Sequence, residues 1–301
     1  CRYLSSIAFA IVNLMNWLLL TILAICSRSL MSVAVKVLSN RAKVSPMTQA
    51  VLFTGGATVL SLLISPFVGG ISFSGLSGLW LITLIMIVSQ AGGNILFFKG
   101  LANLEASVAA VAFSSLLLWG TLLSVLFLDS SFSFKQLIGI VVLFLAILLV
   151  QYKKGVKRIE PAVLYILASA LLFAVFQVSS AELAKTMPAG TYLLLSFGGA
   201  TLIVWLAYIK RVREDIKTLI KQKTTVAKAT LFASACSTGY FVFSYFAYRN
   251  APDRGVVVVL LTAQVILSVL LGVLLLKETD RLPRKITAGV MAVIAGILIK
   301  S

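Results

Sequence analysis

Histidine is absent from the 301-residue chain, and with it go the commonest general base and the usual zinc ligand. A His-x-x-x-His metal site, a Ser–His dyad and an imidazole proton shuttle are therefore excluded. Cysteine is nearly absent too. Of Cys1, Cys26 and Cys236, the last two fall inside apolar stretches, so neither a disulfide framework nor a Cys-x-x-Cys metal or redox site can be built. No metal, cofactor or catalytic residue is implied. Charge is equally scarce: Asp, Glu, Lys and Arg make up 12% of the residues, against about 25% in a soluble domain.

What is present is apolar. Hydrophobic residues make up 60% of the chain, and runs of about 20, the length that spans a bilayer as helix, recur from end to end with short polar breaks. The reading is an all-α integral membrane protein of ten transmembrane helices, near residues 16–38, 47–67, 79–102, 105–128, 134–152, 162–185, 189–209, 227–249, 254–277 and 285–300. Helix boundaries fall at Ser45-Pro46, Ser65-Pro66, Glu160-Pro161, Met187-Pro188, Ala251-Pro252 and Leu282-Pro283. Met15-Asn16-Trp17-Leu18 reads as a natural start, which makes residues 1–15 a candidate upstream extension leading into the first helix.

The net charge of +17 would suggest nucleic acid in a soluble protein. Here the basic residues sit between helices, where they suit retention on the cytoplasmic side and anionic lipid headgroups, so no nucleic-acid partner is expected. The expected location is the cell (inner or plasma) membrane, in multi-pass form. The longest polar segment, Lys210 to Lys228, places Val212, Ile216, Leu219 and Ile220 at helical spacing. It reads as an interfacial amphipathic helix and a topology-fixing loop.

The chain also repeats itself. Gly55-Gly56-Ala57-Thr58 recurs as Gly198-Gly199-Ala200-Thr201, each copy about ten residues beyond a proline, Pro46 or Pro188. Val125-Leu126-Phe127-Leu128 corresponds to Val273-Leu274-Leu275-Leu276, which aligns Glu105-Ala106-Ser107-Val108 with Asp253-Arg254-Gly255-Val256. Two five-helix halves follow, residues 16–155 and 156–301. Because five is odd, the halves enter the membrane in opposite directions, the inverted repeat that many secondary transporters use to place a substrate site near the midplane.

Phe97-Phe98-Lys99-Gly100-Leu101-Ala102 leading into Glu105-Ala106-Ser107-Val108-Ala109-Ala110, together with Leu274-Leu275-Leu276-Lys277-Glu278-Thr279, resembles the EamA-like branch of the drug/metabolite transporter superfamily. Members often carry a Glu-Pro pair inside the fourth helix of each half; here those places read near Leu116-Leu117 and Gln264-Val265, and Asp129-Ser130 stands where Gly-Glu is usual. The resemblance implies a cavity lined by helices 1, 3, 4, 6, 8 and 9, with helices 5 and 10 to the side. The activity it implies is transport of a small-molecule substrate, an amino acid or similar metabolite, with export by alternating access the expected direction and mode.

Polar side chains at membrane depth are costly and so become candidates for the pathway. Arg28 sits mid-helix, at about 2.5–3.5 kcal/mol on insertion scales. It reads either as the anchor for a substrate carboxylate or other anion, or as a side chain paired with a helix-end carbonyl or with another side chain. Gln90 and Asn94 share a helix face with Phe97; Ser115 pairs with Trp119, Tyr240 with Ser244, and Gln264 with Ser268, while Ser169, Phe173, Gln177 and Ser180 form a stripe. The substrate-binding set is Arg28, Gln90, Asn94, Trp119, Gln177, Tyr240 and Gln264, with interhelical hydrogen bonding as the alternative for each residue. Glu182, near a helix end, is the candidate for ion or proton coupling. Ala288, Ala292 and Gly296 form a small-residue ridge that suits either internal packing or dimerisation, which leaves monomer and homodimer both open. A lipid or lipid-linked sugar flippase and, less favoured without histidine, a membrane-embedded enzyme are the competing readings.

Loop charge fixes the expected orientation. Eighteen Lys and Arg lie on the side of the breaks after helices 1, 3, 5, 7 and 9, against six on the other, so the rich side is cytoplasmic and both termini face outward. A fluorescent protein fused after Ser301 should be dark and an alkaline phosphatase fusion active; the reverse pattern would overturn the helix count or the orientation.

Overall fold

The computed structural model describes residues 16–76, 78–128, 133–151, 160–183, 186–219, 223–251, 257, 260–261 and 264–300. Residues 1–15 and the Asp129-Ser130 and Asp253–Val256 correspondences lie outside them. The described chain is helical: α1 Trp17–Arg41, α2 Pro46–Ile64, α3 Trp80–Leu101, α4 Ala106–Phe113, α5 Leu116–Leu128, α6 Phe134–Gln151, α7 Pro161–Leu183, α8 Ala189–Leu194, α9 Ala200–Ala207, α10 Ile209–Leu219, α11 Lys223–Asn250, α12 Gln264–Leu276 and α13 Leu282–Lys300. Among the described residues seven helices are long and apolar enough to cross a membrane, and three further apolar helices, Ala106–Gly120, Phe134–Val150 and Gln264–Leu276, are shorter.

The helix starts follow local chemistry. Asn16 Oδ1 accepts from Leu18 N at 2.9 Å, and Ser45 caps α2 with Pro46 in its first turn, where a missing N–H costs nothing. Two expected helices are interrupted. The expected helix at 105–128 breaks at Ser114-Ser115, where Ser114 Oγ donates to Val111 O at 2.5 Å and competes with the backbone ladder. The expected helix at 189–209 contains a π-helical stretch, Leu195–Gly199.

Packing pairs elements distant in sequence. The most extensive contacts join α1 to α11, α3 to α7 and α6 to α13; smaller ones join α2 to α11, α1 to α12, α5 to α7, α4 to α12, and α2 to the π segment and α9. A Cβ on Gly100 would lie 2.7 Å from the Ala162 carbonyl oxygen, so glycine permits the close crossing of α3 and α7. The repeated Gly-Gly-Ala-Thr segments meet each other: Gly55 faces Thr201, Gly198 faces Thr58, and Thr201 Oγ1 donates to Thr54 Oγ1 at 2.8 Å. Ala288 and Ala292 are buried in the cluster shared with α6, and Gly296 is buried beside them, so the small-residue ridge is internal to the chain.

The 210–228 segment contains the amphipathic helix α10, and its inner face is docked on protein. Val212 and Leu219 are buried, whereas Ile216 is exposed; Ile220 lies outside the described residues. Asp215 anchors the contact by accepting from Ser45 N at 3.0 Å, Ser45 Oγ at 2.5 Å and Thr48 Oγ1 at 2.7 Å. A carboxylate is thus set at the positive end of α2. Burial alone would push the Asp215 carboxyl up, but the Ser45 and Thr48 hydrogen bonds and the Arg211 charge outweigh it and hold it below its ordinary range. A depressed carboxyl stabilises the fold in full above its unfolded value of about 3.9; that stabilisation is lost as pH falls through the lowered folded value. Asp215→Ala should cost about 1–3 kcal/mol and release α10. The checks are a lower melting temperature in detergent at neutral pH and faster tryptic cleavage at Arg211, Arg213 or Lys217; unchanged behaviour would show that the contact does not hold the helix.

Candidate functional site

Arg28 stands at the junction of two cavities. The larger, about 170 Å³, is lined by Arg28, Ser32, Gln177, Tyr240, Gln264 and Ser268 among others. The smaller, about 20 Å³, is lined by Arg28, Gln90, Asn94 and Ser237 with an aromatic wall. Met31, Phe97 and Phe113 line both. Five of the other six predicted residues are therefore gathered around the Arg28 guanidinium, although they come from α3, α7, α11 and α12.

The Arg28 guanidinium carbon lies 5.1 Å from the Phe113 ring centre and 5.3 Å from that of Tyr240. Desolvated cation–π contacts are worth about 2 kcal/mol each, enough to offset the roughly 2.5–3.5 kcal/mol insertion cost. Of the two structural alternatives, the helix-end carbonyl is taken by Lys36 on the same helix, whereas side-chain contacts are what Arg28 makes. Arg28 Nη1 reaches only the soft sulfur of Met31, at 3.4 Å, and among the described residues no carboxylate pairs with it. Its planar fork of donors remains available to an anion.

The amides around it are polarised the other way. Gln90 Oε1 and Gln264 Oε1 are buried without a hydrogen-bond partner among the described residues, while Asn94 Nδ2 donates to Gln90 O at 2.9 Å. The site thus presents one cationic fork, unpartnered amide oxygens and aromatic faces. That set suits a small solute with an acidic group and hydrogen-bonding neighbours.

Other predicted polar residues serve packing. Trp119 lines neither cavity; its Nε1 donates to Leu167 O at 3.2 Å and joins α5 to α7. Ser169 Oγ donates across helices to Gly93 O at 2.7 Å, and Ser180 and Ser244 bond within their own helices. Ser268 shares a 3.2 Å bond with Ser32 in the cavity wall. The Glu182 side chain lies outside the described residues.

A polar cluster that the residue-by-residue reading did not assemble lies two turns along α1 from Arg28. Lys36 Nζ donates to Leu101 O at 2.8 Å and Leu104 O at 2.6 Å, closing the end of α3. Glu278 caps the start of α4 from the other half of the chain, accepting from Ala106 N at 2.7 Å and from Ser107 N and Oγ at 3.0 and 2.6 Å. Lys285 donates to Glu278 O at 2.8 Å and forms an ion pair with Glu105. Its sequence signals were Glu105 and Glu278, both at helix ends; their spatial meeting was not encoded in any local spacing.

Comparison with known proteins bears on fold and family. No curated protein matches the chain. A crystal structure of a protein 16% identical in sequence superposes with a TM-score of 0.65, covering 93% of this chain and 94% of that one, a likeness of fold alone. The EamA-like transporter family matches residues 15–152 and again 160–301. With both segments matched and apolar helices of spanning length through the described chain, this multi-pass membrane protein belongs to the EamA-like transporter family.

Proposed function

We propose that the protein moves a small anionic or zwitterionic metabolite, an amino acid or similar compound, out of the cell across the inner or plasma membrane by alternating access, through the cavity around Arg28. The observation that carries this reading is a membrane-depth arginine facing a cavity with no carboxylate partner among the described residues. A permanently charged, bidentate donor in such a place is matched by a substrate carboxylate. Gln90 and Gln264 would accept from its donors, and Phe113 and Tyr240 would wall its apolar part.

Ten spanning helices in two inverted halves is the architecture that goes with this reading. It is supported by the pairing of elements. Exchanging the first and second halves carries the α1–α11 contact onto α7–α3 and leaves α6–α13 and α4–α12 in place. The reciprocal contact of the two Gly-Gly-Ala-Thr segments has the same two-fold form. A cavity formed between such halves can be exposed to either side by rocking one against the other.

Purified protein in proteoliposomes is the test. Arg28→Ala should abolish transport of an anionic or zwitterionic substrate found by metabolite profiling of overexpressing cells, while insertion and folding persist because a costly buried charge is removed. Arg28→Lys should rescue transport in part, since the charge returns without the planar fork. Normal transport by Arg28→Ala would make the arginine structural and move the site elsewhere.

A further inference from the structure

In the cluster of Lys36, Glu105, Glu278 and Lys285, the first two are half-buried, while the last two have no evident need to be as buried as they are. Glu278 is 9% exposed and Lys285 4%, although both follow the last turn of α12 on the side that carries the basic loops. A turn at that level could have left its charges in water. Instead each is committed to a partner in the first half of the chain or to the turn itself. Removing two opposite charges from water costs several kcal/mol per ion, and the cost is offset only where hydrogen bonds fill the remaining positions. Here they do: both Glu278 oxygens accept from α4, and the Lys285 ammonium holds the Glu278 carbonyl as well as Glu105.

The cluster's place relative to the cavity is definite. Lys36 is eight residues beyond Arg28 on α1, about 12 Å along the axis. The residues it and Glu278 bind, Leu101 and Ala106, are themselves part of the cavity wall. The bonds therefore run across one end of the cavity, from α1 to the end of α3, and from the turn after α12 to the start of α4.

The turn that presents Glu278 is held under strain. Lys277 and Arg281 have φ of 58° and 53°, the left-handed region that glycine favours and that costs other residues roughly 1–2 kcal/mol each. Glu278 N bonds back to Gly272 O at 3.2 Å, closing the helix end with lysine in the left-handed position that glycine usually takes. A strained turn kept in place by the bonds it makes to the other half has two arrangements available: bonded, or relaxed with the bonds broken.

We propose that this cross-half clasp is the gate of the cavity on the basic face: while Glu278 caps α4 and Lys285 pairs with Glu105 the cavity is sealed from that side, and it opens there only when these bonds break. The proposal rests on the cavity being the transport path, but its test requires no substrate. In a variant lacking the three native cysteines, Ala110→Cys places a thiol on the cavity wall one turn from Ala106. Labelling from the basic face by a membrane-impermeant maleimide should be slow in the parent. It should speed up at least tenfold on adding Glu278→Gln, and by a smaller factor on adding Ser107→Ala, which removes one hydroxyl donor and leaves every charge in place. Reversing the ion pair, Glu105→Lys with Lys285→Glu, should be slower to label than either single reversal. Rapid labelling in the parent, or equal rates in the parent and both the Glu278→Gln and Ser107→Ala variants, would overturn the gate. Transport that survives Arg28→Ala would instead overturn the substrate site while leaving the labelling result to stand.

Discussion

A peptide group that cannot reach water must find its hydrogen bond inside the chain, and a bilayer enforces this over most of the length of a spanning helix. The helix ends are where the rule bites, because four N–H groups at one end and four C=O groups at the other lack partners within the helix. In this protein scarce charges are placed against that deficit. Lys36 takes carbonyls at and just beyond the end of α3, Glu278 takes the amides at the start of α4, and Asp215 takes the Ser45 amide and the Ser45 and Thr48 hydroxyls at the start of α2. Each also ties together elements far apart in sequence, so satisfying the backbone and assembling the bundle are one operation.

Arg28 is the contrast. It lies mid-helix, where the ladder is complete and no backbone end needs a cation, and its nearest described partners are two aromatic faces and a thioether. Aromatic faces stabilise the charge without consuming the in-plane N–H donors. The difference between Lys36, which is used up by carbonyls, and Arg28, which is not, separates a structural cation from one left available for a ligand.

Much of the architecture was legible in the sequence because the signals for spanning helices are local: length of apolar run, a Ser-Pro or Glu-Pro start, a basic stop. The gathering of Arg28, Gln90, Asn94, Gln177, Tyr240 and Gln264 was also legible, since a polar residue at membrane depth tends to face the bundle interior. That Trp119 stands outside both cavities was not legible, because an indole N–H can be satisfied by a neighbouring helix as readily as by a cavity, and spacing cannot distinguish the two. The break at Ser114-Ser115 was hidden by uniformly apolar flanks. The clasp was hidden for a different reason: Glu278 and Ser107 are 171 residues apart, and charge near a helix end reads as ordinary topology-setting loop. Similarly, the amphipathic spacing of α10 was visible, but no spacing marked Asp215 as the residue that fixes it to α2.

The meeting of Gly55 with Thr201 and of Gly198 with Thr58 has a further meaning. A segment that contacts its own copy, each residue answered by its counterpart, is an isologous contact, the kind that joins two identical subunits about a two-fold axis. In this chain both sides of that contact belong to one polypeptide, so each half is free to change alone. A substitution in one Gly-Gly-Ala-Thr segment need not be mirrored in the other, as it would have to be in a symmetric pair. That freedom is what allows a single arginine, on one half only, to stand at the centre of an otherwise two-fold arrangement.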